Sequence, residues 1–544
     1  MIDKTCNDWK LGFIPLRDKS HNVIAARCKV CEKVLQQLSI DKLNEHRSRC
    51  KRIVTDNMHL SEIGEAVGIG QSTTNSQEEL FLHDDEELTV EDLNEKLTEF
   101  FCACNIPYRV VEDKYFLNFV EALRKTKITK YKPPCRQTLA STCVNELHEK
   151  IVNDRKKKLR GTDSVLLIDG WKNSTINRKI VVCSLRNENI SHTFLKAYDA
   201  SLEREDGEYL SEVMVDAIDY AKEFYETDVF AIKSDNDAKI LRGGRLAESS
   251  AGETLWHSTC ASHSANLLLK SLVPSTFSDN MREVIHAFRE PKLDSLVIKY
   301  GGTLLRNYPD TRFAYLRDSA VSILNNIDIL IKISTLENVN IKASVLNIIN
   351  NDVFTTQLTD LIDLLEPVCK LIYKAQDPVC NAADTVQLWL SLRLHNIQQQ
   401  ELLKDRILRA LKPVDFAAYV LHHKYAGSLL SPEQNQKAYQ FFRNTMDSQT
   451  LEELHEYLEN KEELLPLQAR CRKPIVYWKL SKAFFPNLAK YAIKLLLIPA
   501  STAQLEAYFS QWTYVHNIYR NRLTQVNSRK LVDVYSSLRS QNKY

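Results

Sequence analysis

Ser164-Val-Leu-Leu-Ile-Asp-Gly-Trp171 is the stretch on which the fold turns. Its apolar run reads as a strand buried on both faces, and the run stops on Asp169. Burying a carboxylate costs desolvation energy unless a cation meets it. A second run, Val229-Phe-Ala-Ile232 followed by Lys-Ser, stops on Asp235 in the same way. Glu506 lies far away, on a helical stretch near the C-terminus. Two strand ends and one helix that converge would hold a pair of hard divalent ions. Carboxylate-bound Mg²⁺ activates water or a hydroxyl toward a phosphodiester. Taken singly, each acid reads as a solvated strand end or helix-face residue, so the neighbours decide.

Outward from Asp169, strands and helices alternate. Lys179–Leu185 and His192–Asp199 are strand candidates. Tyr209–Tyr225 carries Leu210, Val213, Met214, Ala217, Ile218 and Ala221 at helical spacing. Val229–Asp235 is a fourth strand. Three strands, a helix and a fourth strand open an RNase H-like α/β core, in which the first and fourth strands are neighbours. Asp169 and Asp235 are then close. About 270 residues separate Asp235 from Glu506. Their pattern is mostly helical, over Asp318–Lys332, Leu358–Tyr373, Val386–Leu403 and Tyr439–Arg443, so a large all-α insertion splits the core. Upstream, Leu97, Phe100, Phe101, Phe116, Phe119, Val120 and Leu123 mark helices. Tyr131-Lys-Pro-Pro134 interrupts them before a helix over 136–157. That helix carries the densest basic run, Arg155, Lys156, Lys157 and Lys158, with Arg160 beyond. The run reads either as a DNA contact or localisation signal, or as a solvated helix end favoured by the macrodipole.

The N-terminal 60 residues form a separate module. Cys28-Lys-Val-Cys31 is followed 15 residues on by His46 and four later by Cys50. A C-x2-C knuckle offers two thiolates to one Zn²⁺, and a His and a Cys one helical turn apart offer two more ligands. Ser39 is a suitable N-cap for the helix that carries them. Lys42, Arg47, Arg49, Lys51 and Arg52 lie on or beside it and suit phosphate contact. With Trp9 and Phe13 upstream, the module resembles the BED zinc finger, with Cys50 where a His is commoner. Residues 61–95 read as an acidic, flexible linker: residues 78–95 carry nine acids and no Lys or Arg.

Bulk properties narrow the class. With 544 residues there is room for several domains, and 44% hydrophobic with 26% charged residues is ordinary for a globular chain. No apolar stretch has the length of a membrane span, and no signal-peptide core stands at the N-terminus. Thirteen cysteines without a regular framework point to a reducing compartment.

The motifs, in order, resemble those of hAT-superfamily DNA transposases. Asp169-Gly-Trp171 is similar to the segment around the first catalytic acid. Ser234-Asp-Asn-Asp-Ala238 is similar to that around the second. Cys260-Ala-Ser-His263 resembles the Cys-x2-His that opens the insertion, and Thr311-Arg-Phe313 the Thr-Arg-Trp/Phe segment. Ile498-Pro-Ala-Ser501 leads to Glu506, and Arg520-Asn-Arg-Leu523 follows. The resemblance implies an Asp169, Asp235, Glu506 triad that holds Mg²⁺ or Mn²⁺ for strand cleavage and transfer on double-stranded DNA. It implies base stacking at Phe313 (an ordinary core aromatic fits equally), a C-terminal homodimerisation region, and the nucleus as compartment. Trp171, Cys260 and His263 are motif residues, and the Cys260/His263 pair, two ligands where zinc wants four, reads as helix packing or DNA-strand positioning ahead of metal binding. Where the family often has Ser and Arg around its glutamate, this chain has Leu505 and Ala507. A domesticated, weakly active or inactive descendant acting as a dimeric DNA-binding regulator is therefore the alternative function. The expected organisation is α+β and multidomain: finger 1–60, linker 61–95, helical DNA-binding or oligomerisation segment 96–160, core 161–255, all-α insertion 256–472, and core with dimerisation region 473–544.

Overall fold

The computed structural model describes residues 13–17, 23–28, 34–35, 89–126, 131–173, 178–251, 255–307, 314–459, 471–515 and 524–540. The chain divides into two compact units, Met1–Tyr131 and Lys132–Tyr544.

In the first unit, β1 (Phe13–Arg17), β2 (Val23–Cys28) and β3 (Val34–Leu35) form an antiparallel sheet in sequence order. Cys28 is the last residue of β2; Cys31, His46, Cys50 and the basic residues around them lie outside the described residues. Two helices follow, α1 (Val90–Ala103) and α2 (Lys114–Lys125). The first begins within the stretch expected to be linker. Thr89 and Asp92 form a reciprocal capping box, and acids in a first turn are favoured by the helix dipole. Phe101 is buried and meets Phe116 edge-on at 5.8 Å, which joins α1 to α2.

The second unit is built on a five-stranded mixed sheet, β4 (Asp163–Asn173), β5 (Arg178–Arg186), β6 (Thr193–Asp199), β7 (Asp228–Ser234) and β8 (Trp256–Thr259). Its order is β6-β5-β4-β7-β8. The β4–β5 and β5–β6 pairs are antiparallel, and β4–β7 and β7–β8 are parallel. β4 runs on past Asp169 to Asn173, because Gly170 to Asn173 keep pairing with β5. Asp169 is therefore in mid-strand on the β5 side. β8 extends the core past residue 255, and the helical insertion starts only after it. Four residues with two hydroxyls gave too little apolar signal to read as a strand.

Strand alternation sends side chains to two cores. Leu166, Ile168, Val181 and Ile232 face α4 (Gly207–Tyr225) and α5 (Ala238–Ala251). Val165, Leu167, Val182 and Ala231 face a second core, shared with the insertion and the C-terminal helices. Leu159 of α3 (Val144–Leu159) joins the first of these cores. This helix therefore belongs to the large unit, and the segment expected over 96–160 is divided between the two units.

The described insertion is helical throughout. Of its helices, those that bear on the site are α6 (Ala261–Leu272), α7 (Ala382–Ser391), α8 (Ile397–Ala410) and α9 (Pro413–Leu421). The helix expected over Val386–Leu403 is two helices, because Asn396 caps a new one in a reciprocal box with Gln399. The helix expected over Asp318–Lys332 is likewise broken at Asn326, a buried side chain that bonds Thr303 N–H and the Ser322 carbonyl. After the insertion come α10 (Pro486–Leu497), α11 (Ala503–Val515) and α12 (Gln525–Ser540). No helix among the described residues is long and apolar enough to cross a membrane.

Candidate functional site

Parallel pairing of β4 with β7 runs to Leu167 opposite Lys233. Two residues past that pair stand Asp169, still within β4, and Asp235, the first residue beyond β7, so the register brings the two acids side by side at the end of the parallel pairing. Both lie on the side of the sheet that faces the second core. Beyond Asp235 the backbone turns into α5. Asp235 Oδ1 accepts the Asp237 N–H at 2.8 Å, and Asp237 Oδ1 accepts the Lys239 N–H at 2.9 Å.

The C-terminal chain reaches these acids along a strip that passes between two helix starts. Ala382 N–H at the start of α7 donates to the Ile498 carbonyl at 2.8 Å, and Ala500 N–H to the Cys380 carbonyl at 3.1 Å. Ala261 N–H at the start of α6 donates to the Ala500 carbonyl at 3.0 Å. Thr502 follows: its N–H donates to the Cys260 sulfur at 3.3 Å, and its hydroxyl lies 3.5 Å from Asp169 Oδ2. Cys260 is thus a packing ligand of the strip, and its own N–H donates to the Ser234 carbonyl at 2.7 Å. Helix α11 then runs across the sheet. Phe509 stacks on Trp171, centroids 5.6 Å apart and planes 16° from parallel. Trp171 is two residues past Asp169 on the same strand face, and Glu506 is one helical turn before Phe509. The stack therefore packs α11, the helix of Glu506, on the face that carries Asp169. Leu505 is fully buried in the core and Ala507 is exposed.

Electrostatics follow from burial. Asp169 is 6% exposed. Burial pushes its carboxyl up to about 6; His263 pulls it down and Asp235 pushes it further up. Asp235 is raised too, first by burial, against the opposing pull of the Asp237 N–H and His263. Burial alone would lower His263. The hydrogen-bonded Cys260 beside it, then Asp169 and Asp235, outweigh burial and hold the imidazole protonated to about 10. Conversely, burial raises the Cys260 thiol, but His263 brings it below its ordinary value. The arrangement is one buried and one half-buried acid balanced by a half-buried imidazolium.

Hard carboxylate oxygens at the end of the parallel pairing suit Mg²⁺ or Mn²⁺, and two neighbouring acids held above their ordinary range chiefly by burial form a pair that a cation would relieve. Among the described residues, no group of three or more His, Cys, Asp or Glu side chains is close enough to hold a metal ion as it stands.

Polar groups under the site went unnoticed in the sequence. Lys233, fully buried, donates to Ser258 Oγ at 2.8 Å, and Ser258 Oγ donates to Asp415 Oδ1 at 2.6 Å. Ser234 Oγ donates to the Asp235 carbonyl and meets His257 Nε2, each at 2.8 Å. The available signal was a lysine placed mid-strand between Ile232 and Ser234.

Of the expected basic contacts, Arg155 is not one. It is 4% exposed, its Nη1 donates to Asp533 Oδ2 at 3.1 Å, and its Nη2 pairs with Oδ1 of the same carboxylate on α12. Lys156 lies over the Phe224 ring at 4.7 Å, Lys158 pairs with Asp154 at 2.7 Å, and Lys157 is exposed. Phe313 lies outside the described residues.

Two families match the chain. The hAT family C-terminal dimerisation region covers residues 453–538, and a domain of unknown function, DUF659, covers residues 134–289. No curated protein matches it. The two matches support an hAT-type transposase that self-associates through its C-terminal region. The first spans Glu506 and α11, the second both aspartates.

Proposed function

We infer that the chain is an hAT-type DNA transposase whose cleavage and strand-transfer site comprises Asp169, Asp235 and Glu506. The observation that carries this reading is the parallel β4–β7 pairing, which brings buried Asp169 and half-buried Asp235 together beneath a helix of the matched dimerisation region. The order β6-β5-β4-β7-β8, with three antiparallel strands followed by two parallel ones, supports an RNase H-like core.

In this reading Asp169, Asp235 and Glu506 would hold Mg²⁺ or Mn²⁺, which when bound would supply an acidified water or 3′-hydroxyl and charge neutralisation at the leaving oxygen. The chain's own groups set the stage. Thr502 orients Asp169, and the Asp237 N–H orients Asp235. The His263 imidazolium offsets the two acids, and the Trp171–Phe509 stack fixes the helix of Glu506. The N-terminal Cys28, Cys31, His46 and Cys50 hold structural Zn²⁺ in a finger that binds double-stranded DNA, and the protein acts in the nucleus. Lys42, Arg47, Arg49, Lys51, Arg52, Lys157 and Phe313 contact DNA.

The test is Mn²⁺-dependent cleavage of DNA that carries the inverted repeats flanking the coding region. Wild-type cleavage that disappears in Asp235→Asn, with DNA binding retained, supports the enzyme. A second reading, a dimeric DNA-binding regulator, is favoured by Leu505, whose burial replaces a polar neighbour of Glu506 with core packing. Specific binding lost in Cys28→Ser, with no cleavage by the wild type, selects it.

A further inference from the structure

The junction of α8 and α9, residues 409–415, is fastened to the strand ends beside Asp235. Asn236 Nδ2 donates to the Arg409 carbonyl at 3.0 Å, and Thr259 Oγ1 to the Ala410 carbonyl at 2.6 Å. Ser258 donates to Asp415, whose other oxygen accepts the Lys412 N–H at 2.8 Å. His257, next to Ser258, packs on α5 at Gly244, where an added Cβ would come within 2.5 Å of the ring. The contacts run from Gly244, next to Arg245 on α5, to His257, and from its neighbour Ser258 through Asp415 to Lys412. They bring cations from two separate helical segments to one edge of the site.

Those cations outnumber the acids beside them, Asp405 and Asp415, and the Lys412 ammonium donates to the Arg409 carbonyl at 3.0 Å. Lys412 is lowered by burial and, despite the pull of Asp415, by Arg245. Arg406 is lowered by burial and then by Arg409. His257 is pushed down to about 4 by burial, Lys412, Lys233 and Arg245. Asp405 reaches Arg409 only at 3.6 Å on an exposed helix face, and Asp415 is buried beneath. Two arginines at the end of α8 are what the helix dipole favours. Arg245 comes from the middle of α5, and the dipole gives no reason for it to face Lys412. Cations held together against their repulsion are relieved by an anion, and the Arg245 and Arg409 side chains are exposed to one.

We propose that Arg245, Arg406, Arg409 and Lys412 form a track for the phosphate backbone of duplex DNA and lead it to Asp235. The proposal rests on the reading of the acids as a DNA-cleaving site and adds the path by which the strand arrives. Asn236 has a defined part: it links the residue after Asp235 to the backbone of the track, so the two keep a fixed separation. No base is read there; the track binds by charge.

The test is the salt dependence of binding of the full-length protein to a random-sequence DNA duplex, followed by fluorescence anisotropy. Each phosphate contact contributes about −0.9 to the slope of log K against log salt. Arg245→Ala/Lys412→Ala should flatten the slope by about 2 and weaken binding at least 10-fold at low salt. Arg245→Lys/Lys412→Arg should keep the wild-type slope, and the unfolding midpoint of each variant separates lost contact from lost fold. An unchanged slope in a folded Ala variant overturns the track and leaves the acids untouched. Cleavage absent from the wild type, with a flattened slope in the variant, overturns the enzyme and leaves the track.

Discussion

Removing the Asp533 carboxylate should cost the large unit a sizeable part of its stability. Asp533 on α12 takes both guanidinium nitrogens of Arg155 on α3 and also meets His148 Nε2 at 3.1 Å. Both members of the ion pair are 4% exposed, so water screens neither. Asp533→Ala leaves the guanidinium buried with only Tyr225 and Ser537 as hydroxyl partners, each at 3.2 Å. Two charge-assisted bonds at about 1.5–3 kcal/mol each sum to about 3–6 kcal/mol. Stranding one partner of a buried pair costs about 3–5 kcal/mol. The two routes agree at about 4 kcal/mol. The assay is urea unfolding followed by tryptophan fluorescence, because Trp171, Trp256, Trp389, Trp478 and Trp512 lie in this unit and only Trp9 lies in the other. Arg155→Met/Asp533→Leu removes both charges and should return most of the loss. A single variant within about 1 kcal/mol of wild type, or a double variant as unstable as the single, refutes the argument. Midpoints that shift with protein concentration only in the variant would mean that Asp533 acts across the dimer.

Three further outcomes follow from the site. Asp169, held at about 6 against an ordinary 3.8, contributes stability below pH 4 that is lost as pH rises to 6; Asp169→Asn should therefore stabilise the metal-free protein at pH 7, by about 3 kcal/mol in unfolding experiments, and abolish cleavage. Phe509→Ala removes a buried ring from the Trp171 stack and should cost about 3–5 kcal/mol, with cleavage falling more than DNA binding in paired assays because the helix of Glu506 loses its seat. Gly244→Ala drives a methyl into His257 and should cost about 1–3 kcal/mol, read by unfolding midpoint; His257→Ala in the same chain should recover part of it by clearing the space.

Periodicity carried the strands and the longer helices, since an apolar run or an i, i+3, i+4 stripe survives in one dimension. It failed where a polar side chain decides the local course. Asn396 and Asn326 each split what reads as one helix, and Thr89 with Asp92 starts a helix inside an acidic run. It also failed at β8, whose residence in the sheet rests on pairing with β7 rather than on its own pattern. Arg155 is the clearest case of misplaced chemistry. In a basic run it looks like its neighbours, and only the arrival of Asp533 from 378 residues away makes it an interior group.

By itself the sequence determined the two aspartates as strand-associated acids, the helical insertion after them, and an order of motifs similar to that of hAT transposases. These are local facts, written in hydropathy and spacing. Tertiary structure alone decided that Asp169 and Asp235 stand side by side, that His263 balances them, and that the strip through Thr502 brings the Glu506 helix to their face. The reason is physical: register, desolvation and the pairing of buried charge depend on which segments meet, and those segments lie hundreds of residues apart along the chain.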